Sequence, residues 1–253
     1  MTLYEKAVNL IEEAEHLVVF TGAGISIESG IPTFRGENGL WEKYDMNYLT
    51  LDYFYNSPAA SWVFNKKIFY ETFVGKKPNI AHLALSQLES YGIVKSIITQ
   101  NIDNMHTLAG SKQVIEFHGN ARFAICTKCN KKYTIDDQLI SDLPPKCNDC
   151  REVLKPDFIF FGESLDERVY NQAFDEAEKA DLVLVIGTTG IIRPASNVPI
   201  YAKETGAKII EINPEASEYT SDITDVFINE KATIAMSEIL ELIKERTRVH
   251  AKE

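Results

Sequence analysis

The sequence predicts an α/β protein, a doubly wound parallel sheet accompanied by a smaller domain that two insertions form. Three observations predict it. Short continuous apolar runs recur along the chain with helical stretches between them, a Gly-rich turn directly follows the first run, and the four cysteines stand as two CxxC pairs within residues 126–150. With 253 residues, 45% of them apolar, the chain is long enough to bury roughly three quarters of the surface its unfolded form exposes. It therefore needs no disulfide framework to be stable.

The elements follow in order. Leu3, Ala7, Leu10, Ile11 and Ala14 repeat at the spacing of one helix face, which predicts a helix over Leu3 to Glu15. Leu17 to Phe20 reads as a strand that ends in Thr21-Gly22-Ala23-Gly24. A helix from about Ala81 to Ser90 precedes a strand over Ile93 to Thr99, and a helix from Glu167 to Lys179 precedes a strand over Leu182 to Ile186. Lys208 to Ile212 is a further strand, and a helix from about Ala232 to Arg246 closes the chain. Apolar strands separated by helices are the mark of a parallel sheet covered on both faces.

Two regions break the alternation. From about Ile31 to Pro78 aromatic residues such as Trp41, Tyr44, Phe54 and Trp62 recur with helical periodicity; from about Ala121 to Pro156 the cysteines stand among polar residues and Pro144-Pro145. These excursions give the expected division: residues 1–32, 79–122 and 156–253 in the sheet domain, residues 33–78 and 123–155 in a small helical and zinc-binding domain. In the latter, Cys126 and Cys129 are followed, after seventeen residues, by Cys147 and Cys150. Each pair directs two thiolates to one side of a tight knuckle, and two knuckles complete a tetrahedron around Zn²⁺ with no position open for water, a structural metal rather than a catalytic one. Reduced or redox cysteines are the alternative.

The charge, 26 Lys+Arg against 37 Asp+Glu for a net −11, argues against direct nucleic-acid or anionic-membrane binding and favours neutral or basic partners. No run reaches the ~18 to 20 apolar residues of a membrane helix. Met1 to Lys6 lacks the basic-then-apolar layout of a secretory signal, and with cysteines spaced for a metal site the expected location is cytoplasmic.

Three motifs carry chemistry. Gly22-Ala23-Gly24-Ile25-Ser26 after the first strand suits close approach of a phosphate, although Ile27 takes the place of the third glycine of a dinucleotide fingerprint, and an ordinary tight turn is the competing reading. Ser29 to Gly36 and Gln100-Asn101-Ile102-Asp103 then place polar groups where an open α/β sheet binds its ligand, or else in a solvated loop. His118, between an apolar run and Gly119, is either a general base or a structural histidine satisfied by backbone.

The order of these pieces resembles the sirtuin family, the NAD-dependent protein deacylases. The residues that carry the resemblance are Gly22 to Ser26, Gly30 to Arg35, Thr99 to Asp103, His106, Glu116 to Gly119, the four cysteines, Pro156, Phe161-Gly162-Glu163, Gly187-Thr188-Thr189 and Asn213, in the family order along almost the whole chain. The resemblance implies a Rossmann-like sheet and an enzyme that consumes NAD, giving nicotinamide, deacylated lysine and O-acyl-ADP-ribose. It implies that Gly22, Ala23, Gly24, Ser26, Phe34, Arg35, Gly187, Thr188, Thr189, Asn213 and Ala232 hold the adenosine and phosphate parts of NAD, while Gln100, Asn101, Ile102 and Asp103 hold the nicotinamide and its ribose. His118 is then the catalytic base, with Asn101 fixing the ribose or a water. Ile159, Phe161, Gly162 and Glu163 belong to a stretch that resembles the one pairing with the acyl-lysine peptide as an added strand, a core strand being the alternative.

The chain departs from the family pattern at Gly190 and Arg193, and where a proline commonly follows the Phe-Gly-Glu stretch it has Asp166 after Leu165. Members that remove succinyl or malonyl groups carry a Tyr and an Arg where this chain has Asn65 and Ile68, so a neutral acyl group is expected; a shift of one helical turn instead brings Lys66 or Lys67 there. A mono-ADP-ribosyltransferase and a non-catalytic NAD- and zinc-binding module are the competing functions.

Overall fold

A capping box starts the chain. In the computed structural model, which describes residues 1–35 and 39–250, the Thr2 side chain accepts from the Glu5 amide and the Glu5 carboxylate from the Thr2 amide, which fixes the head of α1 (Leu3–Glu13). β1 (Leu17–Thr21) is buried along its length. Its side chains alternate: Leu17 and Val19 enter one apolar layer, Val18 and Phe20 the opposite one. That two-sided burial is why the run reads as continuously apolar.

A 3₁₀ helix (Ala23–Ser29) follows β1, and the first excursion supplies α2 (Leu40–Lys43), α3 (Leu51–Asn56), α4 (Pro58–Asn65), a π-helical turn (Lys66–Tyr70) and α5 (Glu71–Phe73). Gly36, the last residue of the expected Ser29 to Gly36 motif, lies outside the described residues. Next come α6 (Ile80–Ser90), β2 (Val94–Thr99), α7 (Met105–Leu108) and β3 (Val114–Glu116). The cysteine region, expected as two knuckles in a polar loop, contributes a small antiparallel sheet of β4 (Gly119–Cys126), β5 (Lys132–Thr134) and β6 (Leu154–Phe158). The domain limits expected near Arg122 and Pro156 thus fall inside β4 and β6, because the strands continue past the cysteines to reach the sheet domain. The rest is α8 (Glu167–Lys179), β7 (Leu182–Ile186), α9 (Asn197–Glu204), β8 (Lys208–Asn213), β9 (Val226–Asn229) and α10 (Ala232–His250). β9, an edge strand of four residues, has no signal in the sequence pattern.

The large sheet is parallel throughout, in the order β3-β2-β1-β7-β8-β9. Taken by themselves these six strands follow the 3-2-1-4-5-6 order of a dinucleotide-binding sheet. α1, α6 and α10 cover one face and α8 and α9 the other. The chain reverses its winding between β1 and β7, so the crevice of a doubly wound sheet opens beyond the C-terminal ends of these two strands. Both excursions share a third core, in which Phe54, Trp62 and Phe69 of the first pack with Cys126, Cys147 and Leu154 of the second. Trp62 Nε1 donates to the Leu154 carbonyl at 2.7 Å and ties the two together. Among the described residues no helix is long and apolar enough to cross a membrane.

Candidate active site and metal centre

Two loops meet at the switch point. The Gly22 amide donates to the Ile186 carbonyl at 3.0 Å and the Gly24 amide to the Gly187 carbonyl at 2.8 Å. A Cβ on Gly24 would lie 2.7 Å from the Gly187 Cα, and Gly187 itself has φ +66°. The glycines therefore let the β1 and β7 loops touch, a requirement separate from phosphate approach. The amides of Gly22 and Gly24 are thereby engaged within the protein.

A cleft of about 650 Å³ runs from these loops to the small domain. Of the residues expected to hold NAD, Gly22, Ala23, Gly24, Phe34, Arg35, Gln100, Asn101, Ile102, Gly187, Thr188, Thr189, Asn213 and Ala232 all line it. Ser26 does not: it is fully buried and its hydroxyl donates to Asp103 Oδ2 at 2.6 Å. Asp103 faces a pocket of about 20 Å³ that shares Ala23, Phe34, Asn101 and Ile102 with the cleft. Burial raises the Asp103 carboxyl above the usual carboxylate range, opposed by the Ser26 hydroxyl and the Met105 amide. The Asn101 amide nitrogen donates to the Gly22 carbonyl at 3.1 Å.

His118 sits where both sheets meet. Its ring Nδ1 lies 3.1 Å from the Gln100 carbonyl, which only accepts, so Nδ1 carries the proton and Nε2 keeps its lone pair. Burial pulls the ring below the ordinary histidine value, partly offset by the Gln100 hydrogen bond. The Ile159 amide donates to the His118 carbonyl at 2.9 Å, which joins the histidine to the expected substrate segment. Gly119 has φ +79° and a Cβ there would collide with the Asp157 carbonyl, so only glycine permits this junction.

Ile159, Phe161, Gly162 and Glu163 line the same cleft. The Phe161 amide donates to the Leu49 carbonyl at 2.9 Å and its carbonyl accepts from the Leu51 amide at 3.0 Å. Its backbone N–H and C=O are thus already paired with the segment around Leu49 and Leu51. The Glu163 carboxylate turns inward to the Phe160 amide at 2.8 Å and to Lys155 Nζ at 3.0 Å. Lys155, buried and also donating to the Pro156 and Phe158 carbonyls, is a bracing residue that sequence reading missed, because an isolated lysine beside proline carries no periodic signal. Trp41, seen in the sequence only as part of an aromatic helical region, also belongs to the site: the Arg35 guanidinium lies 3.9 Å from its ring centroid, and its ring and that of Phe161 are 5.7 Å apart between centroids.

At the residues tied to acyl choice, Asn65 is fully buried outside the cleft and Ile68 faces the small pocket. Lys66 Nζ donates to the Ile140 carbonyl at 3.0 Å and Lys67 Nζ lies 5.6 Å from the Tyr44 ring centroid, so neither presents its charge to the cleft.

The four cysteine sulfurs lie within 4.8 Å of one another. Individual pairs stand at 3.4 Å (Cys126 and Cys150), 3.6 Å (Cys129 and Cys147) and 3.8 Å (Cys129 and Cys150). Four thiolates each ~2.3 Å from a tetrahedral zinc would stand about 3.8 Å apart, so this donor set fits Zn²⁺. The Tyr133 hydroxyl packs 3.1 Å from the Cys147 sulfur and accepts from the Asn148 amide at 3.0 Å.

Comparison with known proteins decides the family. The family model described as "Sir2 family" matches residues 22–194. The chain belongs to the Sir2 family. It is 42% identical over 241 residues to NAD-dependent protein deacylase 2 of Pyrobaculum aerophilum, covering 95% of this chain and 96% of that protein. It is 43% identical over 241 residues to the NAD-dependent protein deacylase of Pyrococcus furiosus, covering 93% and 96%. Among solved Sir2 structures, a complex described as containing p53 peptide and NAD+ superposes with a TM-score of 0.88 at 34% identity, over 96% of this chain and 99% of that one. Another, described with deacetylated p53 peptide and 3'-O-acetyl ADP ribose, superposes with a TM-score of 0.89 at 36% identity, over 96% and 98%. The sirtuin cleft of this chain is therefore one whose family relatives are named for NAD-dependent deacylation.

Proposed function

We propose that this Sir2-family chain is an NAD-dependent protein-lysine deacylase that consumes NAD and an acyl-lysine peptide and gives nicotinamide, free lysine and O-acyl-ADP-ribose. The observation that carries the reading is a neutral His118 whose free Nε2 stands in one cleft with the dinucleotide-binding loops and with the segment around Phe161. The relatives named as deacylases and the similar structures described with NAD+, p53 peptide and 3'-O-acetyl ADP ribose support it.

In this reading NAD lies with its phosphates at the Ala23 and Thr188 loops and its nicotinamide end towards Asn101, Ile102 and Asp103. Arg35 leaves the Trp41 face to pair with the pyrophosphate, a charge-assisted contact. The acyl oxygen bonds to the anomeric carbon as the bond to nicotinamide breaks. His118 Nε2 takes the proton of a ribose hydroxyl as that oxygen adds to the resulting imidate, and water then releases free lysine and the acyl-ADP-ribose; Nδ1 stays bonded to Gln100 and so holds the ring. The peptide adds a strand beside Gly162, whose φ of +83° and open Cβ position leave room for it. Cys126, Cys129, Cys147 and Cys150 would hold Zn²⁺ when it is bound, and it would tie the two CxxC turns together as a structural rather than a catalytic metal.

The peptide is basic, in keeping with the chain's net charge of −11, and a reducing compartment such as the cytoplasm keeps the four thiols free for zinc. Neutral acyl groups are favoured, because neither Asn65 nor Ile68 offers a cation to an acyl carboxylate. The test is to incubate the protein with NAD and acetyl- or succinyl-lysine peptides and to follow nicotinamide and the acyl product by mass spectrometry. O-acetyl-ADP-ribose formed many-fold faster than the succinyl product is expected. ADP-ribosylated protein in its place identifies a transferase, and NAD binding with no nicotinamide released identifies a non-catalytic module.

A further inference from the structure

Beyond β7 from the catalytic side of the sheet stands a buried acid the mechanism does not use. Glu211 is fully buried in β8, and its carboxylate meets no lysine or arginine among the described residues. Four side chains surround it instead. Asn213 Nδ2 at 2.9 Å and Ser217 Oγ at 2.6 Å reach Oε1, while the hydroxyls of Thr220 at 2.9 Å and Thr224 at 2.8 Å reach Oε2. Burying a carboxyl group is costly unless it is hydrogen-bonded, and here Asn213 of the same strand and three hydroxyls of the following loop replace water.

The arrangement has a consequence for Asn213. Its amide nitrogen has two hydrogens and two neighbours that only accept: the Glu211 carboxylate and, at 3.0 Å, the Thr188 carbonyl. The nitrogen must face both, which leaves Oδ1 as the amide's free end, on a residue that lines the cleft. The same carboxylate gathers the loop after β8, whose Pro214, Glu215, Ala216 and Ser217 form the adjoining wall. Ser217 and Thr220 serve twice, since their hydroxyls also accept from the Tyr219 and Ser217 amides at 3.1 Å and 2.8 Å.

We propose that Glu211 is a positioning residue for dinucleotide binding: it fixes the Asn213 amide with Oδ1 presented to a ribose hydroxyl and holds the loop that walls the adenosine end. The inference rests on the NAD-dependent reading above, and its test separates the two. Glu211→Met keeps the length of the side chain and removes the acceptor; Glu211→Gln keeps one acceptor oxygen for Asn213 and Ser217, while its new NH₂ group is met by Thr hydroxyls that rotate to accept.

ADP-ribose binding by calorimetry and steady-state deacetylation are measured on the full chain. Glu211→Met is expected to raise the Kd for ADP-ribose and the KM for NAD about tenfold, with kcat and the peptide KM within twofold of the parent, and Glu211→Gln to restore most of the affinity. In an Asn213→Ala background Glu211→Met should raise the Kd clearly less than in the parent, since the part of its effect that passes through Asn213 is gone and only the part that passes through the loop remains. An unchanged Kd, a matching fall in kcat, or full additivity with Asn213→Ala overturns the proposal. Should Glu211→Met fail to fold, Thr224→Val removes one donor on Oε2 away from the cleft wall; a two- to threefold rise in Kd is then expected and no rise overturns it. Failure of the unmodified chain to bind ADP-ribose at all overturns the NAD-dependent reading instead.

Discussion

A neutral imidazole with one nitrogen engaged and the other open is the form a general base needs, and His118 has it by construction. The Gln100 carbonyl fixes the tautomer and burial holds the ring uncharged near neutrality. His118→Ala should therefore reduce deacylation by roughly 10² to 10⁴ while ADP-ribose affinity, measured by calorimetry, stays within twofold. For the parent enzyme the rate should be flat around pH 7 and fall on acidification, with an inflection below the ordinary histidine value, because the folded pKa is lowered and protonation removes the base. His82, whose ring lies 4.9 Å from that of the likewise buried His106, gives a second pH effect to which His106, also lowered by burial, adds. Burial depresses the His82 pKa from 6.5 to about 4, so between these values the unfolded chain binds a proton that the folded one does not. Its contribution to stability is present above pH 6.5 and lost as the pH falls towards 4, on the order of 3 kcal/mol in all. Thermal melts across that window should show the loss for the parent and a shallower slope for His82→Gln; equal slopes would remove His82 as its source.

At the scale of elements, what was legible in the sequence is what repeats or clusters in sequence. Leu182 to Ile186 and Glu167 to Lys179 coincide with β7 and α8 end to end, because a two-sided strand and an amphipathic helix each impose a period on many residues at once. The paired cysteines and the glycine turn were equally visible. The roles of Ser26, Glu211 and Lys155 were not, because each depends on a partner in another segment: Asp103, the loop after β8, and Glu163. The resemblance assigns Ser26 to the ligand, whereas in the fold it is fully buried with its hydroxyl on Asp103. The small sheet illustrates the same limit, since β5 has three residues and is held by β4 and by the cysteine cluster rather than by its own pattern. Zinc should accordingly be structural. Chelation, or Cys147→Ser, should release the metal as read with a chromogenic indicator and open residues 127–153 to proteolysis while the large sheet keeps its far-ultraviolet signal. Retention of zinc and of protease resistance in Cys147→Ser would count against a four-thiolate site.

At the scale of the whole molecule the net charge of −11 and the cleft pull in different directions. NAD is an anion approaching an acidic protein, and the cleft answers with local groups: Arg35, Arg193 and Lys231 line it, and none of the three forms an ion pair within 4 Å among the described residues. Of the acids that line the same cleft, Glu28 accepts from the Thr233 amide and hydroxyl at the start of α10, and Glu163 is held by Lys155, so two carboxylates that would repel a phosphate already have donors of their own. A basic peptide, as proposed above, would meet the opposite balance, since a basic segment is drawn by the long-range field and needs few local partners. The two substrates should therefore respond to salt differently. Raising ionic strength from 50 mM to 500 mM shortens the Debye length from about 14 Å to about 4 Å, which screens the whole-molecule field more than contacts inside the cleft. The KM for a lysine- and arginine-rich acetyl peptide should rise several-fold over that range, that of a neutral peptide should stay nearly constant, and the KM for NAD should change least. A basic and a neutral peptide with the same salt dependence would show that the acidic surface takes no part in choosing the substrate, and would leave selection to the backbone of the Phe161 segment alone.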